Sequence, residues 1–327
     1  MTLLQVRDLH TSFALQNKII HAVRGVSFSL NQKETLGIVG ESGSGKSVMV
    51  KSLTRLLPPT SAFIKQGSVF YQGEDLLQKS EAALKKIRGQ RISMIFQDPM
   101  SSLNPTMKVG KQIMEGYLLH HPHVSKQIAQ NKTIELLEEV GISDPVSRLN
   151  QYPHELSGGI RQRVMIAIAI VCSPDILIAD EPTTSLDVTI QAQILRLLKT
   201  IQQQKGMSIM LITHDLSIVA GFCERVLVMY GGQIIESAPT RELFANPLHP
   251  YTKRLLASIP RLDTSSDHTL YSIQGSPPDL SQIIKGCSFK ERCPHAKELC
   301  YKTNPPHELA IDDHYVSCWL QDNQRVT

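Results

Sequence analysis

Eight consecutive residues, Gly40-Glu41-Ser42-Gly43-Ser44-Gly45-Lys46-Ser47, fill every fixed position of the phosphate-loop pattern G-x-x-x-x-G-K-[ST]. Gly40, Gly43 and Gly45 allow the backbone to turn through positive φ and bring its N–H groups against phosphate oxygens. A helix starting near Gly45 points its positive end at the same charge. Lys46 then reaches the β- and γ-phosphates, and the Ser47 hydroxyl is placed to ligate Mg²⁺. The chemistry this spacing supports is binding of a nucleoside triphosphate and phosphoryl transfer.

Other residues could share that chemistry. Asp180-Glu181 follow the apolar run Ile176-Leu177-Ile178-Ala179, and two adjacent acids after a buried strand are costly unless a cation or a proton transfer uses them. Asp180 suits Mg²⁺ coordination, and Glu181 suits a general base aimed at water. Gln97 stands at the end of the strand-like Ile92–Phe96, where open α/β sheets bind ligands. His214 follows Ser208–Thr213, where a histidine can donate to a γ-phosphate; read alone it is a helix-capping surface residue. Ser157-Gly158-Gly159 head a strongly helical run and form a second exposed helix N-terminus; taken alone they are simply a helix start. Phe13, near a strand end, is either a stacking face for a base or a core residue.

The elements that must position these residues are legible. Glu34–Val39 reads as a buried strand entering the phosphate loop, and Ser47–Leu57 as an amphipathic helix stopped by Pro58-Pro59. Residues 1–33 read as two or three strands, followed by strands at Gly67–Tyr71 and Ile92–Phe96. Apolar residues at three and four spacing predict helices over Met107–Leu119, Ser125–Val140 and Gly158–Val171, a helical insertion over about 100–171. A helix over Val188–Gln204, a strand at Ser208–Thr213, and a hairpin Arg225–Tyr230/Gln233–Glu236 cornered at Gly231-Gly232 come next. The fold expected is an α/β phosphate-loop core with an antiparallel β subdomain, the helical insertion, and a small cysteine-rich C-terminal domain. The domain boundaries expected are 1–259 and 260–327.

At 327 residues with 41% apolar content the chain is globular and buries a sizeable core. A formal charge of +4, with Lys and Arg spread along the chain, gives no footprint for nucleic acid. No secretory signal is visible at the N-terminus, and the longest apolar run, Val164–Cys172, is far shorter than the ~20 residues that span a bilayer. Cys172 and Cys223 sit in apolar, helix-like segments and read as buried small hydrophobes.

The other four cysteines crowd the C-terminal segment as Cys287, Cys293, Cys300 and Cys318, with spacing C-x₅-C-x₆-C-x₁₇-C. Clustered thiolates in a reducing compartment favour metal over disulfide. Zinc prefers a C-x₂₋₄-C pair, which is absent; four thiolates also suit an iron–sulfur cluster, and free thiols or disulfides stay open. His295, His307 and His314 lie nearby and read as solvated surface residues.

The phosphate loop, Gln97, Leu156-Ser157-Gly158-Gly159, Asp180-Glu181, Ser185-Leu186-Asp187 and His214, in this order, resemble the nucleotide-binding subunits of ATP-binding cassette transporters. Four further stretches resemble the dipeptide and oligopeptide importer branch: Phe96–Pro105, Gln151–Glu155, Asp187–Gln193 and Asn246–Thr252. The resemblance implies that Lys46 and Ser47 hold phosphate and Mg²⁺ and that Asp180 holds Mg²⁺ through water. It implies that Gln97 senses the γ-phosphate, close to the metal, that Glu181 polarises the attacking water, and that His214 fixes the γ-phosphate. Ser157 and Gly159, with Gly158 and Asp187 beside them, would face ATP held by a second ATPase subunit, so the chain would act only when paired. Ile160 departs from the Gln or Met usual in the family, and Ser185 from the usual Ala.

The same resemblance implies ATP and Mg²⁺, a [4Fe–4S] cluster on the four C-terminal cysteines, two integral membrane permeases and an extracytoplasmic peptide-binding protein. The chain would then sit peripherally on the cytoplasmic face of the cell membrane and hydrolyse ATP to drive import of dipeptides or oligopeptides. Two alternatives share the cassette: a soluble protein acting on ribosomes or DNA, and a transporter ATPase for metal chelates, glutathione or antimicrobial peptides.

Overall fold

The computed structural model describes residues 1–15, 18–98, 102–184, 186–259 and 273–321. Pro99, Met100, Ser101 and Ser185, each part of a quoted motif, lie outside the described residues, as does the expected domain boundary at 260. The strands are β1 (Thr2–Leu15), β2 (Lys18–Asn31), β3 (Thr35–Val39), β4 (Ala62–Tyr71), β5 (Glu74–Asp75), β6 (Ile92–Ile95), β7 (Ile176–Asp180), β8 (Ser208–Thr213), β9 (Arg225–Tyr230), β10 (Gln233–Pro239), β11 (Glu308–Ile311) and β12 (His314–Val316). The chain forms two compact units, one of Met1–Asn31, Thr35–Gln78 and Ile212–Thr327, the other of Gln32–Glu34 and Lys79–Leu211.

In the first unit an antiparallel sheet runs β2-β1-β4-β5, with Val6 opposite Phe28 on one side and Val69 on the other. A second sheet carries the order β11-β12-β10-β9-β3. Within it β3 lies parallel to β9, Ile38 opposite Leu227, and both strands are almost wholly buried. That burial explains their unbroken apolar runs, since a parallel strand covered on both faces shows no alternation. The expected hairpin is present: β9 and β10 pair antiparallel across Gly231 and Gly232, at φ 54° and 80°.

The cysteine-rich segment is not the separate small domain expected. Its described residues belong to the first compact unit, because β12 adds to the edge of β10, with Val316 opposite Glu236. The same edge buries a polar pair. His314 Nε2 lies 2.8 Å from Glu236 Oε1, both side chains fully excluded from solvent. His314 was expected at the surface, and the pairing of β12 with β10 carries it inside against Glu236, while His295 and His307 are exposed. Glu236 also accepts the N–H groups of Leu248 and His249. Burial opposes its charge, and these hydrogen bonds with that of His314 more than offset it, holding the carboxyl below its usual pKa.

The helix after the phosphate loop spans Lys46–Leu53 and stops short of the expected Leu57. Arg55 adopts φ 54°, Leu56 N donates to Lys51 O and Arg55 N to Ser52 O. These are the paired bonds of a Schellman ending, here built on arginine instead of the glycine that marks such a stop in sequence.

In the second unit β6 and β7 pair in parallel, Met94 opposite Ile178, with β8 beyond β7. Helices Val109–His120, Lys126–Glu139 and Gly158–Ile170 form the expected helical insertion. Helix Val188–Lys205 presents Ile194, Leu198 and Ile201 inward at helical spacing, is capped by Asp187, and ends at Gly206 in the left-handed region. No helix among the described residues is long and apolar enough to cross a membrane.

Candidate functional site

The residues singled out above divide between the two units. In the first, β3 delivers the loop 40–45 directly into helix Lys46–Leu53, whose N-cap Gly45 makes no side-chain cap and leaves the first-turn N–H groups without a capping side chain. Two glycines are sterically obligatory here. A Cβ on Gly40 would sit 2.2 Å from Met229 O, and one on Gly45 2.4 Å from Ala22 O, with φ 152° and 100° respectively. No side chain fits either place without moving backbone.

Lys46 is buried, and its ammonium donates to Gly40 O at 2.7 Å and Glu41 O at 3.0 Å, closing the loop on itself. Ser44 Oγ, also buried, has no hydrogen-bond partner among the described residues. Within the loop Ser44 N donates to Glu41 O, and Gly232 N to Ser44 O. A cavity beside the loop is lined by Glu41, Ser42, Gly43 and Ser44 together with Pro277, Pro278 and Leu280. His214 lies exposed just past β8, where Asp215 caps the following helix by accepting from Ser217 N. Phe13 is half-buried in β1, opposite Ile20 and Ala62.

In the second unit β7 ends on Asp180, which is 1% exposed, and the next residue turns sharply out of the strand, Glu181 standing at φ 49°. That left-handed kink throws the Glu181 carboxylate off the buried strand line. Gln97 Nε2 donates to Glu181 Oε2 at 2.9 Å, and Thr184 Oγ1 donates to the same oxygen at 3.0 Å. Gln97 and Glu181 are thus brought together from 84 residues apart. Thr184 is a partner that sequence reasoning missed; its position three residues after the acid was the available signal. Ser157 accepts from Ile160 N and caps helix Gly158–Ile170, with Ser157 and Gly158 exposed. Gly159 lies against Ile190, one turn into the helix that Asp187 caps.

All six cysteines are free thiols. Burial pushes Cys287 up to about 11 and Cys318 up to about 12, raises Cys293, and holds Cys172 at about 11. The charges of Cys287, Cys293 and Cys300 each act on Cys318, and Cys287 N donates to Cys300 O, so the four converge on one region. Among the described residues, though, no group of three or more His, Cys, Asp or Glu is placed to hold a metal ion. Four thiols are nevertheless the donor chemistry that an iron–sulfur cluster takes, and binding would displace their protons.

Comparison with known proteins places these observations in a family. Residues 23–184 match the model for "ABC transporter", and residues 235–300 match that for "Oligopeptide/dipeptide transporter, C-terminal region". The chain is 51% identical to the dipeptide transport ATP-binding protein DppD of Bacillus subtilis, over 98% of this chain and 95% of that protein. It is 48% identical to the oligopeptide transport ATP-binding protein OppD of Escherichia coli, over 94% and 90%. Among solved structures it resembles the ATP-binding cassette MJ0796, a dimer in a post-hydrolysis state bound to ADP and Pi. The TM-score is 0.65 at 26% identity, covering 73% of this chain and 99% of that one.

Proposed function

This chain belongs to the ATP-binding cassette transporter ATPases, and on that premise we propose that it is the ATP-hydrolysing subunit of a membrane importer for dipeptides or oligopeptides. The observation that carries the cargo is the half-identity to DppD across nearly the full length of both chains, joined by the 235–300 match to the peptide-transporter C-terminal region.

In this reading the loop 40–47 holds the triphosphate through its backbone N–H groups and Lys46, and Ser47 and Asp180 hold Mg²⁺, with Gln97 close to it. Bound Mg²⁺ neutralises phosphate charge. Glu181 takes a proton from the attacking water, whose oxygen bonds to the γ-phosphorus as the bond from that phosphorus to the bridging oxygen of ADP breaks. Gln97 and Thr184 orient the Glu181 carboxylate by donating to one of its oxygens. His214 fixes the γ-phosphate. Ser157, Gly158 and Gly159, with Asp187, face ATP bound by a second subunit of the family, and Phe13 stacks on the base. A dimeric relative bound to ADP and Pi supports the pairing. Closure of the pair would be passed near Gln97 and the helical insertion to two permeases fed by a peptide-binding protein, with this chain peripheral on the cytoplasmic face.

The test is reconstitution with its companion ATPase and permeases. Peptide-loaded binding protein is expected to stimulate ATP hydrolysis, and Lys46→Ala to abolish it. Stimulation by ribosomes or DNA instead, or failure to associate with any membrane subunit, overturns the reading.

The [4Fe–4S] reading of Cys287, Cys293, Cys300 and Cys318 belongs to this proposal, supported by the family resemblance and the convergence of the thiols. Anaerobically purified protein should carry about four irons per chain with absorbance near 400 nm. Zinc, or no metal, overturns it.

A further inference from the structure

The phosphate loop contains an acid. Glu41 is a poor neighbour for a triphosphate, since like charges a few ångströms apart repel strongly where solvent is partly excluded. The structure gives that carboxylate a dedicated counter-charge. Arg292, only 6% exposed, meets it with both arms of its guanidinium, Nη1 to Oε2 at 2.8 Å and Nη2 to Oε1 at 3.2 Å.

Every other donor of the same guanidinium is also used. Nη1 donates to the Tyr230 hydroxyl at 3.1 Å, Nη2 to Ile273 O at 2.9 Å, and Nε to Gln274 O at 3.0 Å. Five N–H groups with five acceptors is the full capacity of an arginine, in a fork that no lysine reproduces. The guanidinium also lies over the rings of Tyr230 and Phe289, at 5.7 and 6.0 Å. Burial opposes the charge on Arg292, but hydrogen bonding to Glu41 and Tyr230 more than restores it.

Glu41 is pinned at its backbone too. Its N–H donates to the Tyr251 hydroxyl at 2.9 Å, while its carbonyl accepts from Lys46 Nζ and from Ser44 N. Tyr251 is fully buried and packs on Tyr230 and Phe289, the platform beneath Arg292. One residue of the loop is therefore held by two residues, Tyr251 and Arg292, with Tyr230 bracing Arg292, all in the same compact unit.

We propose that Arg292 is a positioning residue for nucleotide binding: it neutralises Glu41 and fixes its carboxylate away from the triphosphate, so that the cysteine-rich segment is a working part of the phosphate loop. This rests on the reading of loop 40–47 as the ATP site and adds to it a residue more than 240 positions away.

The mechanism makes an asymmetric forecast. Arg292→Ala strips the counter-charge, leaves Glu41 facing ATP, and should weaken Mg·ATP binding by about tenfold or more with thermal stability measured alongside. Adding Glu41→Gln removes the repulsion itself, so the double variant should return to within about threefold of wild type. Arg292→Lys keeps the charge without the fork and should fall between. The measurement is titration of the full-length chain with a fluorescent ATP analogue at two salt concentrations, with Lys46→Ala as control.

Weakening by Arg292→Ala with rescue by the second change supports the inference. Unchanged binding overturns it, and so does weakening that the double variant fails to rescue, because a mere brace would lose more with each deletion. If Arg292→Ala does not fold, the comparison passes to Arg292→Lys, where unchanged affinity overturns and a few-fold loss supports. Wild-type protein that binds no ATP, with Lys46→Ala identical to it, brings down the site assignment and this inference together.

Discussion

The phosphate loop and the cysteine array occupy the same compact unit, and both announce a ligand in sequence, yet they are built differently. The loop is eight consecutive residues on a rigid hinge between a buried strand and a helix, and its shape is set by Gly40 and Gly45 pressed against neighbouring carbonyls. The array is four thiols on separate turns, with Cys287, Cys293 and Cys318 pushed up by burial, and its described residues form no ready-made group of metal ligands. A contiguous motif carries its own geometry. A dispersed one depends on long-range packing, which here is organised instead around Arg292 on the loop side and Glu236–His314 on the strand edge.

That contrast can be broken experimentally. Lys46→Ala should cost at least about a hundredfold in ATP turnover with little change in melting temperature, because in the proposed function the group lost acts on transferring phosphate. A comparable loss of turnover from a change among the cysteines would erase the distinction. His314→Ala should do the reverse. It leaves the fully buried Glu236 without the hydrogen bond of His314 and should cost about 2 kcal/mol of stability, read by denaturant unfolding.

A pH dependence sharpens the same point. Burial pushes His249 down to about 4, so the folded chain keeps it neutral while the unfolded chain protonates it at the ordinary value. Its contribution is present in full above pH ~6.5 and is lost as pH falls from there through 4, about 3 kcal/mol in all. Melting temperature should therefore fall between pH 7 and pH 5, and less so in His249→Asn, which keeps an acceptor for the Tyr251 N–H that His249 Nδ1 now takes. An equal fall in both proteins would remove His249 from the account. The smallest effect expected is from Cys300→Ala, about 1 kcal/mol for a small buried side chain. Anaerobically purified Cys300→Ala should also lose the iron that the proposed cluster would hold, and retention of all of it overturns that reading.

Much of this was legible from residue order. The phosphate loop, the strand entering it, the Gly231-Gly232 hairpin and the acid pair after β7 all depend on neighbours close in sequence, where periodicity and turn chemistry act. The Arg55 helix stop was not, because an arginine in the left-handed region carries no compositional mark. Neither was the burial of His314, which depends on β12 finding the edge of β10, nor the reach of Arg292 to Glu41. Those contacts span 78 and 251 residues, and nothing local encodes them.

The central claim is that Glu181, held by Gln97 and Thr184, takes the proton from the water that cleaves ATP. It is tested most directly by single-turnover hydrolysis in the assembled complex carrying Glu181→Gln. The glutamine keeps the shape and the hydrogen bonds but accepts no proton, so hydrolysis should fall by about a hundredfold or more while ATP stays bound and uncleaved. Hydrolysis at the wild-type rate would contradict it.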